Sequence, residues 1–228
     1  MIDAPLTLAE EILLLMLDDI SGRNVAGMPS YLAAGAALAD LAFGGQLKTT
    51  GEGKKARFER VYGADQPTNA HLQAVLERLV EKGLDKKPEA LVSRVANTKG
   101  IMALLRNGLV DRGILSRDEK KVLFFFTQTT YPTANAAPEA ALKERLRAVI
   151  AGSDPVAPED AVLITLAKTG NVLRRNFDKE LLKSRKERLK EITSGENLAA
   201  GATLQAIEAV QMAIMVATIV PTVAITAS

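Results

Sequence analysis

The apolar positions of this chain recur mostly at helical spacing. Ile12-Leu13-Leu14-Leu15-Met16-Leu17 would be apolar on every side of a helix, which predicts a central, buried one. Its start is marked by Thr7-Leu8-Ala9-Glu10, a capping box in which hydroxyl and carboxylate satisfy exposed backbone donors reciprocally. Asp18-Asp19-Ile20-Ser21-Gly22 predicts a turn. An Ala-rich helix follows, with Ser30 as its candidate N-cap and Phe43-Gly44-Gly45 as its end. Leu72, Val75, Leu76, Leu79 and Val80 mark an amphipathic helix closed by Gly83. Pro88 opens another with Leu91, Val92 and Val95, and Ile101 to Val110 forms the next, ending in Asp111-Arg112-Gly113. Further helices are predicted near Pro138 and Pro158, then one longer helix over Val172 to Ile192, and an apolar helix after Gly201.

Two stretches break this pattern. Gln46 to Tyr62 is polar and Gly-rich, and predicts a short hairpin around Leu47, Phe58, Val61 and Tyr62. Between Ser116 and Asn135 a charged run, Arg117-Asp118-Glu119-Lys120-Lys121, leads into Val122-Leu123-Phe124-Phe125-Phe126, with three of the six Phe residues consecutive. As a strand, this run points Val122, Phe124 and Phe126 one way and Leu123 and Phe125 the other, with a polar turn over Thr127 to Pro132. Both faces are apolar, so either the strand lies inside the core or one face meets a membrane or partner. The expected fold class is mainly α: a single helical domain over residues 1–228, built around the first helix, with short surface β-hairpins and no dividing linker.

Composition narrows the chemistry. Nearly half of the 228 residues are hydrophobic, which is ample for a core, and the formal net charge is only +2. There is no Cys and a single His, so disulfides, thiolate sites and paired imidazole ligands for zinc are excluded. His71 would have to serve any Ser-His-Asp triad, but no Gly-x-Ser-x-Gly elbow exists, and an ordinary surface or half-buried histidine is expected. Gly51-Glu52-Gly53-Lys54-Lys55 lacks the first Gly and the Ser or Thr of a phosphate loop. No catalytic residue, metal site or cofactor is expected. The N-terminus shows no signal peptide, which points to the cytoplasm. Ala206 to Ile225 is apolar enough to raise a membrane span, but Glu208, Gln211 and a break at Pro221 favour a core helix. Lys168 to Lys190 sets nine basic residues against three acidic ones, either a solvated helix face or an attraction to anionic surfaces.

Four blocks give these readings a context: Leu6-Thr7-Leu8-Ala9-Glu10-Glu11-Ile12-Leu13-Leu14-Leu15, Leu38-Ala39-Asp40-Leu41-Ala42-Phe43-Gly44-Gly45-Gln46-Leu47, Leu109-Val110-Asp111-Arg112-Gly113-Ile114-Leu115 and Leu123-Phe124-Phe125-Phe126-Thr127-Gln128-Thr129-Thr130-Tyr131-Pro132. In content and order they resemble the Golgi phosphoprotein 3 family, over most of the chain. Without a long basic N-terminal tail, the chain is similar to the bacterial members. The resemblance implies a peripheral membrane protein that binds phosphatidylinositol 4-phosphate and acts as an adaptor for membrane-protein cargo. It makes Leu123, Phe124, Phe125 and Phe126 the candidate residues for membrane insertion or self-association into a homo-oligomer.

The family's headgroup pocket uses a Trp and several Arg residues. The Trp aligns near Val25 to Gly27, one Arg near Ala34, and a pair of Arg at Lys99 and Met102. Lys99 keeps its charge, while Arg106, one helical turn beyond Met102, and Arg23, in the early loop, are placed to compensate. Lys99, Arg106 and Arg23 are therefore the candidate headgroup ligands, for phosphatidylinositol 4-phosphate or another anionic phospholipid. Two other classes stay open. A winged-helix order over Ile101 to Pro132 would bind nucleic acid, although an aromatic wing suits phosphates poorly and no nucleic-acid partner is expected. A lipid-independent protein scaffold is the other.

Overall fold

The computed structural model describes residues 5–50, 57–84, 88–122 and 126–226. Its elements in chain order are α1 (Leu8–Met16), α2 (Pro29–Phe43), β1 (Leu47–Thr50), β2 (Arg57–Arg60), α3 (Ala70–Lys82), α4 (Pro88–Ala96), α5 (Ile101–Asp111), β3 (Asp118–Val122), β4 (Phe126–Thr130), α6 (Ala137–Ala151), α7 (Pro158–Thr169), α8 (Leu173–Asn176), α9 (Lys179–Ser184), α10 (Lys186–Ser194) and α11 (Leu204–Thr226). The architecture is mainly α, with two antiparallel hairpins, β1-β2 and β3-β4.

Helix α1 is buried along its whole length and packs against α2, α5, α6 and α7. Its orphan N-terminal donors are fully accounted for. Asp40 accepts from the amides of Leu8 (2.9 Å) and Ala9 (3.0 Å), Thr7 Oγ1 accepts from Glu10 N (3.2 Å), and Glu10 Oε2 accepts from Thr7 N (2.9 Å). The predicted capping box is thus present, reinforced from α2. Burial pushes the Asp40 carboxyl up to about 7, against the two amide bonds that favour its charged form. A raised carboxyl favours the fold when protonated, so this contribution is full below the ordinary carboxylate range and is lost as pH rises through about 7.

The Ala-rich pattern of α2 permits close approach. A Cβ on Gly35 would lie 2.9 Å from Val216 Cγ1 and 3.0 Å from Leu166 Cδ2, which places α11 and α7 directly on α2. On α11, Ala209, Met212, Ala213 and Val216 are buried, in agreement with a core helix. The helix continues past Pro221 to Thr226, because packing on α2 and α7 outweighs the local proline penalty. Among the described residues no helix is long and apolar enough to cross a membrane.

Several boundaries differ from the sequence expectation. Helix α2 begins at Pro29, with Met28 in the left-handed region (φ 55°) as its N-cap; Ser30 lies inside the first turn. The first hairpin lies within its predicted segment, and Phe58 and Leu47 bury its inner face, but Val61 falls outside it and Tyr62 is exposed. Val80 is exposed too, on the outer edge of α3. The long helix over Val172 to Ile192 is three short ones. Phe177 turns extended (φ −134°) to bury its ring, and Arg185 (φ −106°) makes the second break. The Gly51-Glu52-Gly53-Lys54-Lys55 segment lies outside the described residues.

The aromatic stretch is the largest correction. Asp118 pairs with Thr130 and the register runs to Val122 opposite Phe126, so the chain reverses between these two and the predicted strand across them does not form. Thr127 to Thr130, expected as a turn, is strand β4. A continuous apolar run carries no period that separates a strand interior from a hairpin tip. Leu123, Phe124 and Phe125 lie outside the described residues, and Phe126 is placed in β4 by its backbone.

Candidate functional site

The exit of β4 is where the candidate residues gather. The loop after α1 folds on itself through Asp18 Oδ1, which accepts from Ser21 N at 2.7 Å; the hydrogen bonds from Ser21 hold this carboxyl below its ordinary range. The turn then docks on the chain leaving the second hairpin. Tyr131 N donates to Gly22 O (3.3 Å) and Thr133 N to Asp19 O (3.0 Å). Gly22 is required there: its φ is +59°, and a Cβ would lie 2.1 Å from the Tyr131 carbonyl carbon.

That docking carries Arg23 to β4, where its Nη2 donates to Gln128 Oε1 at 3.3 Å. From the other side, α5 supplies Arg106. Its guanidinium lies over the Tyr131 ring, 5.1 Å from the centroid, and Tyr131 itself is buried. Arg106 Nε is shielded from solvent and has no hydrogen-bond partner among the described residues. A desolvated guanidinium on an aromatic face is stabilised by the ring quadrupole, worth about 0.5–1 kcal/mol and more as water is excluded. Two of the three sequence candidates therefore contact the same hairpin, Arg23 within β4 and Arg106 on the Tyr131 that follows it, each against a neutral partner.

Lys99 stands apart. It is exposed, precedes the left-handed Gly100 (φ 89°) that starts α5, and makes no ion pair or side-chain hydrogen bond among the described residues. Met102 packs partly against the core, and Ala34 is completely buried in α2, where a cation would require repacking.

Pattern reading missed Tyr131, Gln128 and Gly22 as the frame of this cluster. The Tyr131-Pro132 pair after a strand was a turn signal, but its stacking on Arg106 is a tertiary fact. Ile20 was missed as well; it is 91% exposed, three residues before Arg23 in the docked turn. His71 is corrected from surface or half-buried to buried: its Nε2 lies 3.1 Å from Thr7 Oγ1, and burial pushes the imidazole below its ordinary range while the Glu10 charge opposes this. It belongs to the α1 cap.

Helices packed around a buried α1, with a hairpin contacted by Arg23 and Arg106, define a mainly α protein. The chain belongs to the Golgi phosphoprotein 3 (GPP34) family, whose model matches residues 8–210. That span takes in the whole of the second, third and fourth sequence blocks and all but the first two residues of the first. No curated protein gives a significant match.

Proposed function

We propose that the chain is a non-enzymatic peripheral membrane protein that binds phosphatidylinositol 4-phosphate or another anionic headgroup at the exit of its second hairpin, and serves there as an adaptor for membrane proteins. The observation that supports this most is that Arg23 reaches Gln128 on β4 and Arg106 stacks on Tyr131 just after it, each against a neutral partner, on the hairpin that carries the apolar Val122 to Phe126 sequence. Two weak signals are needed for reversible membrane attachment. Cations near an anionic leaflet supply about 1 kcal/mol each, and the hairpin and the exposed Ile20 supply apolar area. Lys99, just before the start of α5, adds to the field.

Vesicle sedimentation tests this reading. Phosphatidylcholine vesicles doped with phosphatidylinositol 4-phosphate are expected to recruit the chain, and phosphatidylcholine alone to fail. Replacing Arg23 and Arg106 together by Gln removes about 2 kcal/mol, or roughly 30-fold in affinity. Equal recruitment of the wild type and this variant sinks the proposal.

A further inference from the structure

The two breaks in the Val172 to Ile192 segment sort its charges onto different faces. Arg174 from α8, Lys179, Leu182 and Lys183 from α9, and Lys186 from the start of α10 line one basin of about 520 Å³. Lys179, Leu182 and Lys183 follow the i, i+3, i+4 spacing of one face of α9. Among the described residues no carboxylate lines this basin. Asp178 is drawn to Arg147 on α6 (3.1 Å), while Glu187 and Glu191 border a separate cavity with Arg185 and Arg188. Arg174, Lys179, Lys183 and Lys186 make no ion pair or side-chain hydrogen bond among the described residues.

Four like charges around one concavity repel each other, and a concave wall focuses their field outward. Leu182 and the methylene stems give the basin an apolar floor. Such a site is stabilised by an anion from outside, and charge balance gives its class. A phosphate monoester carries about −1.5 to −2 near neutral pH, so two phosphate groups offset four cations. The volume lies within the about 300–1,000 Å³ typical of small-ligand sites. The Arg174 fork suits bidentate phosphate contact, and the three lysines act as point charges. We propose that the α8–α10 basin binds a compact anion bearing two phosphate groups, carried on a lipid headgroup or free in solution. Its residues are distinct from those at the hairpin exit, so it stands without the reading given there.

Inorganic pyrophosphate is the probe. In calorimetry on the full chain it is expected to saturate a single site. Substituting Lys183→Gln with Lys186→Gln should weaken it about tenfold, the loss of two charge-assisted contacts. Lys190→Gln, an exposed cation outside the basin, and the Arg23 and Arg106 double variant should leave it unchanged. The lysine substitutions are surface changes, and unaltered circular dichroism in every variant keeps the comparison clean. The second arm uses the phosphatidylinositol 4-phosphate vesicles. Loss of recruitment in the Lys183 and Lys186 variant, with pyrophosphate displacing the wild type, identifies the lipid source; unchanged recruitment identifies a soluble one. Unsaturable uptake of pyrophosphate, or an equal loss with Lys190→Gln, overturns the proposal. Vesicle loss in the Arg23 and Arg106 variant with pyrophosphate binding intact separates the two sites.

Discussion

Arginines serve two opposite ends in this molecule, one around α1 and one at the hairpin exit. Around α1 they are matched by carboxylates. Arg112 Nη1 lies 3.3 Å from the buried Glu10, and Arg145 bridges Glu11 (2.9 Å) and Asp160 (2.8 Å), both nearly buried. At the hairpin exit Arg23 meets an amide oxygen and Arg106 a phenol ring. A guanidinium locked to carboxylate has its charge consumed inside the fold, and its loss strands buried acid. One held by neutral groups is positioned but keeps its charge for an anion outside. Net charge could not separate these cases, since each arginine counts the same in a total of +2.

The most damaging single change should be Gly22→Ala. The added methyl meets backbone atoms of Tyr131 and Pro132 in a left-handed conformation, so the loop must leave the hairpin. A cost of about 3 kcal/mol is expected in urea denaturation, from strain together with lost docking. Vesicle affinity should fall with it, because Arg23 moves away from β4. An unchanged urea midpoint would mean that the hairpin exit is not held by this backbone contact.

Arg145→Met should cost about 2 kcal/mol, reduced because Arg145 is half exposed, and should leave vesicle binding intact. Burial already pushes Glu11 and Asp160 above their ordinary carboxylate range, with Arg145 opposing the rise in both. Without it they rise further. For raised carboxyls the stability contribution is present at low pH and lost as pH rises through their folded values. The deficit against wild type should therefore be greatest at neutral pH and shrink toward pH 4. A deficit that grows on acidification would reverse the assignment of these carboxylates as buried and charged.

The parts of the fold that were legible in the sequence are those set by neighbours along the chain. Thr7 and Glu10 sit three residues apart, so their cap could be read directly, and glycines after α3 and α5 marked helix exits that the positive φ of Gly83 and Gly113 fulfil. Asp40, which completes the α1 cap, comes from the next helix and gave no local signal. Phe177 fits the helical spacing of its neighbours, yet the core takes its ring by breaking that helix. The candidate site divides in the same way. Arg23 and Arg106 could be nominated by charge and position, whereas their grouping depends on Gly22 and Tyr131, which touch only in the folded chain. Lys99, nominated on equal terms, is exposed just before α5 and makes no ion pair or side-chain hydrogen bond among the described residues.

Tyr131→Leu should give the smallest effect and the finest division within the hairpin exit. It removes the ring beneath Arg106 while keeping apolar bulk, so stability should drop by only about 0.5–1 kcal/mol. Arg106 keeps its charge but loses its platform, and lipid affinity should fall a few-fold. The salt dependence of vesicle binding then tells position from charge. Screening acts on the number of charges engaged, so Tyr131→Leu should retain the wild-type salt dependence, whereas Arg106→Gln should flatten it. If both variants flatten it equally, Tyr131 acts by holding the guanidinium in reach of the anion, and the charge is of use only in that one place. If Tyr131→Leu changes neither affinity nor salt response, the stack is internal packing, and Arg106 joins Arg112 and Arg145 among the arginines that serve the fold.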